Sequence, residues 1–95
     1  MLFRIVRMTF NPQKVSDFKS LFKKVQPKIQ NFPGCQHVEL CKDATESNVF
    51  YTFSKWDNEQ ALEAYRTSRL FEDTWMKTKA LFEGKPMAYS LLTED

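Results

Sequence analysis

Three of the four segments of this chain that read as β-strands carry large apolar side chains on both faces, which a sheet covered on one side alone does not satisfy. Side chains alternate along an extended backbone, so in Leu2–Phe10 Val6 and Met8 point one way while Phe3 and Ile5 point the other. Val49–Lys55 sets Val49, Tyr51 and Phe53 against Phe50, with Trp56 at its exit. Met87–Leu92 sets Met87, Tyr89 and Leu91 against Ala88 and Leu92. Any fold built from these strands needs two covers, and the intervening helices supply one.

Asn11-Pro12 reads as the cap and first residue of a helix running to about Phe32. Val15, Phe18, Leu21, Phe22, Val25 and Ile29 share one side of it, and Lys14, Lys19, Lys23, Lys24 and Lys28 form an ordinary solvated face opposite. Pro27 removes a hydrogen bond and clashes with the preceding turn, which predicts a kink or break near Val25-Gln26. Pro33-Gly34 turns the chain into a strand over Cys35–Lys42, and the polar run 43–48 reads as a hairpin loop. After Trp56, Asp57 reads as the cap of a helix over about Asn58–Arg66. A break at Thr67-Ser68 starts another over Ser68–Phe82, with Phe71 and Trp75 on one face, before Gly84-Lys85-Pro86 ends it.

The order is β-α-β-β-α-β with a split second helix, the α+β, ferredoxin-like arrangement of an antiparallel four-stranded sheet with helices on one face, in a single domain over 1–95. Aromatic residues gather where the split helix meets the sheet, which predicts a roofed apolar pocket. The sheet's other face is expected to pack against a second copy, sheet to sheet. Each apolar side chain so covered gains about 25 cal/mol per Å² removed from water. The expected assembly is therefore a homodimer with a β-barrel-like core, because contiguous apolar patches of that size are uncommon on soluble monomers.

Charge excludes some partners. A net charge of +2 gives no strong field toward nucleic acid or an anionic membrane, and the apolar runs are too interrupted by charge to span a bilayer. Cys35 and Cys41 lie in one strand, about 20 Å apart when extended, so they read as free thiols. With a strand beginning at Leu2 and no charged-then-apolar leader before it, a reducing, cytoplasmic setting is expected.

The Phe32-Pro33-Gly34-Cys35 turn and Trp56-Asp57-x-Glu59-x-Ala61-Leu62-x-x-Tyr65, within this order of elements, resemble the antibiotic biosynthesis monooxygenase family over nearly the whole chain. The resemblance implies a dimeric α+β barrel. Characterised relatives include cofactor-independent monooxygenases of polycyclic phenols and quinols, and haem-degrading enzymes. The haem-degrading branch uses an Asn on its first strand, a Trp on the first short helix and a His on the second as axial iron ligand. The equivalent positions here are Val6, Tyr65 and Trp75, none matches, and an indole N–H is a donor that does not ligate iron. Haem degradation is therefore disfavoured.

The phenol- and quinol-oxidising branch implies a substrate that itself gives an electron to dioxygen once deprotonated, leaving the protein to bind an aromatic, handle a proton and exclude water. Val6, Phe18, Phe22, Tyr65, Phe71 and Trp75 are the expected substrate-binding walls, with the Tyr65 hydroxyl as hydrogen-bond donor. His37, the sole histidine, is the other candidate catalytic residue if it points toward the helices. On its strand it reads as sharing a face with Cys35, Glu39 and Cys41. Ligands two apart on one strand are about 7 Å apart, so no metal site is expected from that stripe, and no cofactor is expected. Arg4 and Arg7 pose the same question of face, with an ion pair to Glu39 or to a partner carboxylate as the ordinary role.

The expected function is cofactor-independent oxidation of a small aromatic or quinol-type molecule. The alternative is a non-catalytic, small-molecule-binding or stress-related dimeric module, and a pure dimerisation platform would have no room for an aromatic ligand at all.

Overall fold

Alternation decides which side of each strand meets the helices, and the computed structural model, which describes residues 1–94, sorts the residues accordingly. Its strands are β1 (Leu2–Thr9), β2 (Cys35–Lys42), β3 (Val49–Trp56) and β4 (Met87–Leu92). Its helices are α1 (Val15–Gln30), α2 (Glu59–Arg66) and α3 (Arg69–Lys79), with a 3-10 turn at Pro12–Lys14 leading into α1. The sheet order is β2-β3-β1-β4 and every neighbouring pair is antiparallel, which is the ferredoxin-like fold.

The sequence boundaries hold with four informative differences. The cap of α2 is Asn58, not Asp57: Asn58 Oδ1 accepts from the Ala61 N–H at 2.9 Å. Asp57 is committed elsewhere, its N–H donating to the Gly34 carbonyl at 2.9 Å and its Oδ1 accepting from Gln36 Nε2 at 2.6 Å. Pro27 lies inside α1 without ending it, because it stands one turn from the helix terminus, where a single lost hydrogen bond is tolerated. Finally, Phe10 leaves β1 and Phe82 leaves α3 to form an isolated antiparallel bridge with each other.

The fourth difference lies in β2. Cys35 pairs with Trp56 but His37 pairs with Lys55, so Gln36 is an extra residue and the strand bulges. The bulge rotates Cys35 to the helix side, where it packs against the cluster of Leu2, Ile29, Val38, Trp56, Leu62 and Tyr65. The expected stripe of four thus shrinks to His37, Glu39 and Cys41. Both cysteines are free thiols.

A second buried cluster, Met8, Phe10, Phe18 and Phe50, closes the other end of the helix side. There Phe10 and Phe18 stack with centroids 4.0 Å apart. On the opposite face, register aligns Phe53, Ile5 and Tyr89 in one cross-strand row and Lys55, Phe3 and Leu91 in the next. Tyr89, Met87 and Leu91 are 46%, 50% and 50% exposed, so this apolar face is open in the single chain. Among the described residues, no helix is long and apolar enough to cross a membrane.

Gly34 makes the turn from α1 into β2 possible. Its φ of +86° is the left-handed region, and a Cβ there would overlap the Ala61 side chain on α2. Gly34→Ala is expected to cost about 2–4 kcal/mol, from left-handed strain of about 1–2 kcal/mol and overpacking of similar size. Urea unfolding checks this; a midpoint equal to the parent's would contradict the close approach of turn and helix.

A roofed hollow as candidate functional site

The split between α2 and α3 is held by one side chain. The Ser68 hydroxyl donates to the Tyr65 carbonyl at 2.6 Å, closing α2, and accepts from the Phe71 N–H at 3.2 Å, starting α3. The bend turns three aromatic residues toward the sheet. Tyr65 stacks on Trp56 at 5.0 Å between centroids, Phe71 meets Tyr65 edge-on at 5.2 Å, and Trp75 stacks on Phe71 at 5.8 Å. Offset and edge-on contacts of this kind add about 0.5–1.5 kcal/mol each beyond area burial, so the roof is a stiff aromatic ladder.

Beneath it lies a hollow of ≈ 330 Å³. Val6, Met8 and Arg4 of β1, with Thr52 and Ser54 of β3, form its floor. Phe18, Leu21 and Phe22 of α1 form one wall, and Tyr65, Phe71 and Trp75 the roof. All six residues expected as walls, Val6, Phe18, Phe22, Tyr65, Phe71 and Trp75, line this one space. Its volume lies at the small end of the range typical of ligand pockets, about 300–1,000 Å³, room for one compact aromatic. A fold serving only as a dimerisation platform would have no such space.

His37 is placed differently from its expected role. It lies across the sheet from the hollow, half-exposed, with Nε2 2.9 Å from Glu39 Oε1. Within a protomer it meets nothing bound under the roof. Arg7 shares that open face and approaches Glu46 at 4.0 Å. Arg4, by contrast, points into the hollow, with Nη1 donating to Ser90 Oγ at 2.9 Å, so the expected pairing with Glu39 is impossible across the sheet.

The hollow's polar groups were the part that residue patterns missed. Arg4 follows from simple alternation, two residues before Val6 on the same face. Arg66 carries no signal beyond its position at the end of α2. Thr78 and Trp56 are accounted for, since Thr78 Oγ1 donates to the Thr74 carbonyl at 2.7 Å and Trp56 Nε1 donates to Ser54 Oγ at 2.9 Å.

Charge states follow from burial. Desolvation, with a smaller contribution from Cys35, pushes the Tyr65 phenol far above its ordinary value, so at neutral pH it is a protonated donor and not a base. Burial, and then the neighbouring Arg66, pull Arg4 below its ordinary value. Val6, Tyr65 and Trp75, which the resemblance sets against the haem-degrading Asn, Trp and His, all line the hollow. Valine, tyrosine kept as a phenol and tryptophan do not fit an axial iron site.

A family model described as antibiotic biosynthesis monooxygenase matches residues 1–75. No curated protein matches the chain. Among solved structures, an antibiotic biosynthesis monooxygenase superposes with a TM-score of 0.92 over 100% of both chains at 17% identity. A protein from Mycobacterium tuberculosis gives 0.90 at 18% identity, covering 99% of this chain and 95% of that one. A conserved protein from Methanosarcina mazei Go1 gives 0.92 at 16% identity, covering 99% and 94%. At such identities the likeness is one of fold.

Proposed function

We propose, from the premise that this chain belongs to the antibiotic biosynthesis monooxygenase family, that it binds a small aromatic or quinol-type molecule under the α2–α3 roof and oxidises it with dioxygen. The substrate supplies the electrons, one oxygen atom enters the product and the other leaves as water. The chain's part is to hold the ring between apolar walls, keep water out and hydrogen-bond a substrate oxygen through the Tyr65 hydroxyl. The observation that carries this reading is the convergence of Val6, Phe18, Phe22, Tyr65, Phe71 and Trp75 on a single apolar space.

Oxygen uptake in the presence of an anthrone or a quinol tests it. Tyr65→Phe is expected to slow uptake on the order of 10²-fold, the scale for a donor aimed at charge that develops in the transition state. His37→Ala, across the sheet, is expected to change it far less. A Tyr65→Phe rate equal to the parent's would overturn the assignment of that hydroxyl.

One observation favours a second reading. Among the described residues no His, Asp or Glu lines the hollow, and Tyr65 is held protonated, so none of them there is a base suited to take a substrate proton near neutrality. Saturable quinol binding without oxygen uptake would identify a binding module in place of an enzyme.

The working unit in this proposal is a homodimer joined sheet to sheet. Its support is the uncovered face carrying Phe3, Ile5, Phe53, Met87, Tyr89 and Leu91, opposite a face already filled by helices. Such an apolar face is self-complementary when two twisted sheets stack.

A further inference from the structure

Among the described residues, every charged one that lines the hollow is an arginine. Arg4 rises from the floor on β1 and Arg66 stands at the mouth where α2 ends, while among the described residues no Asp, Glu, Lys or His lines it. Among the described residues Arg4 has no carboxylate partner; its one side-chain hydrogen bond goes to the neutral Ser90. Arg66 has a loose approach to Glu63 at 3.5 Å, both of them exposed. Arg4, partly buried and without a counter-ion among the described residues, loses hydration in this half-enclosed apolar space and is repelled by the nearby Arg66.

We infer that the hollow's ligand is an aromatic carboxylate, its ring under the Phe71–Trp75 roof and its carboxylate between Arg4 and Arg66. The inference rests on the reading of the hollow as a small-aromatic site and adds the ligand's charge. A carboxylate fits better than a neutral oxygen because guanidinium is always charged and presents planar donor pairs that match two coplanar oxygens. Arg4 spends one Nη1–H on Ser90, leaving its other donors for such a group. The downward pull on Arg4 from burial and from Arg66 agrees with this, since a bound anion relieves both effects.

Calorimetric titration of the full chain with 2-naphthoate and its neutral isostere 2-naphthamide tests the inference. Naphthoate is expected to bind on the order of tenfold or more tightly, as charge-assisted pairing implies, with the ratio falling as salt is raised. Arg4→Gln combined with Arg66→Gln is expected to bring the ratio near one, and Arg4→Lys to retain part of it. Arg66→Gln alone, at an exposed helix end, is expected to lower the ratio several-fold and keeps the test decisive if the double variant does not fold. Equal binding of the two compounds, or a ratio that survives the double substitution, would overturn the anionic ligand while leaving the aromatic hollow intact. Tighter binding of phenyl phosphate than of the carboxylates would also overturn it. Failure of both naphthalenes to bind would remove the aromatic reading as well.

Discussion

Trp56→Ala is expected to destabilise the protein by about 3–5 kcal/mol, the range for emptying a buried large aromatic site. Trp56 is 1% exposed and is the largest fully buried side chain. It stacks on Tyr65, meets Phe32 edge-on at 6.5 Å and satisfies Ser54 through its indole N–H. Three segments surround it: β3 carries it, α2 brings Tyr65, and the turn between α1 and β2 brings Phe32, so no single side chain can collapse into the space left behind. For a domain whose whole stability is on the order of 5–15 kcal/mol, the loss is a large fraction. Urea unfolding at fixed protein concentration would report a lower midpoint with an unchanged slope. Because Trp56 also lines the hollow, ligand binding is expected to weaken with it. A loss below about 1 kcal/mol, the scale of ordinary surface substitutions, would contradict its place as the plug between sheet and roof.

Ile5→Asp is expected to separate the proposed dimer. Ile5 sits in the middle of the open face, paired in register with Phe53 on one side and Tyr89 on the other. In a lone protomer a carboxylate there faces water. Between two stacked sheets it is buried without a partner, at a cost of about 3–5 kcal/mol, which at 1.4 kcal/mol per tenfold weakens association by roughly 10²–10³-fold or more. Sedimentation at micromolar concentration should give dimers for the parent chain and single chains for the variant. A variant that sediments as the parent does would mean that the two-sided apolar strands are covered in some other way.

Those strands are also where the fold was most legible. Phe3 and Ile5 against Val6 and Met8 put large apolar side chains on both faces in the sequence itself, whereas which face Arg4 and Arg7 each occupy stayed open until the structure placed Arg4 in the hollow and Arg7 beside Glu46. What alternation could not foresee is the bulge at Gln36, which moves Cys35 to the helix side, because one inserted residue in a ladder leaves no mark in local composition. The cap of α2 was misread by one residue for a similar reason: Asp57 and Asn58 are both good caps, and the tether of Asp57 to Gly34 and Gln36 is a tertiary contact.

The site divided along the same line. Aromatic residues at helical spacing, Phe71 and Trp75, found the roof because packing periodicity is written into adjacent turns. The two arginines did not stand out, since an arginine on a strand and another at a helix end look like ordinary surface charge until the sheet and the split helix bring them to one cavity. His37 drew attention by being unique, but being the sole histidine says nothing about which side of a sheet it occupies.

Titration of ¹⁵N-labelled protein with a quinol, followed residue by residue in the amide spectrum, tests the hollow most directly. Saturable shifts are expected at Val6, Tyr65, Phe71 and Trp75, with His37, Phe53 and Tyr89 left in place. Shifts centred on that second group, or none at any concentration up to saturation of the quinol, would contradict ligand binding beneath the α2–α3 roof.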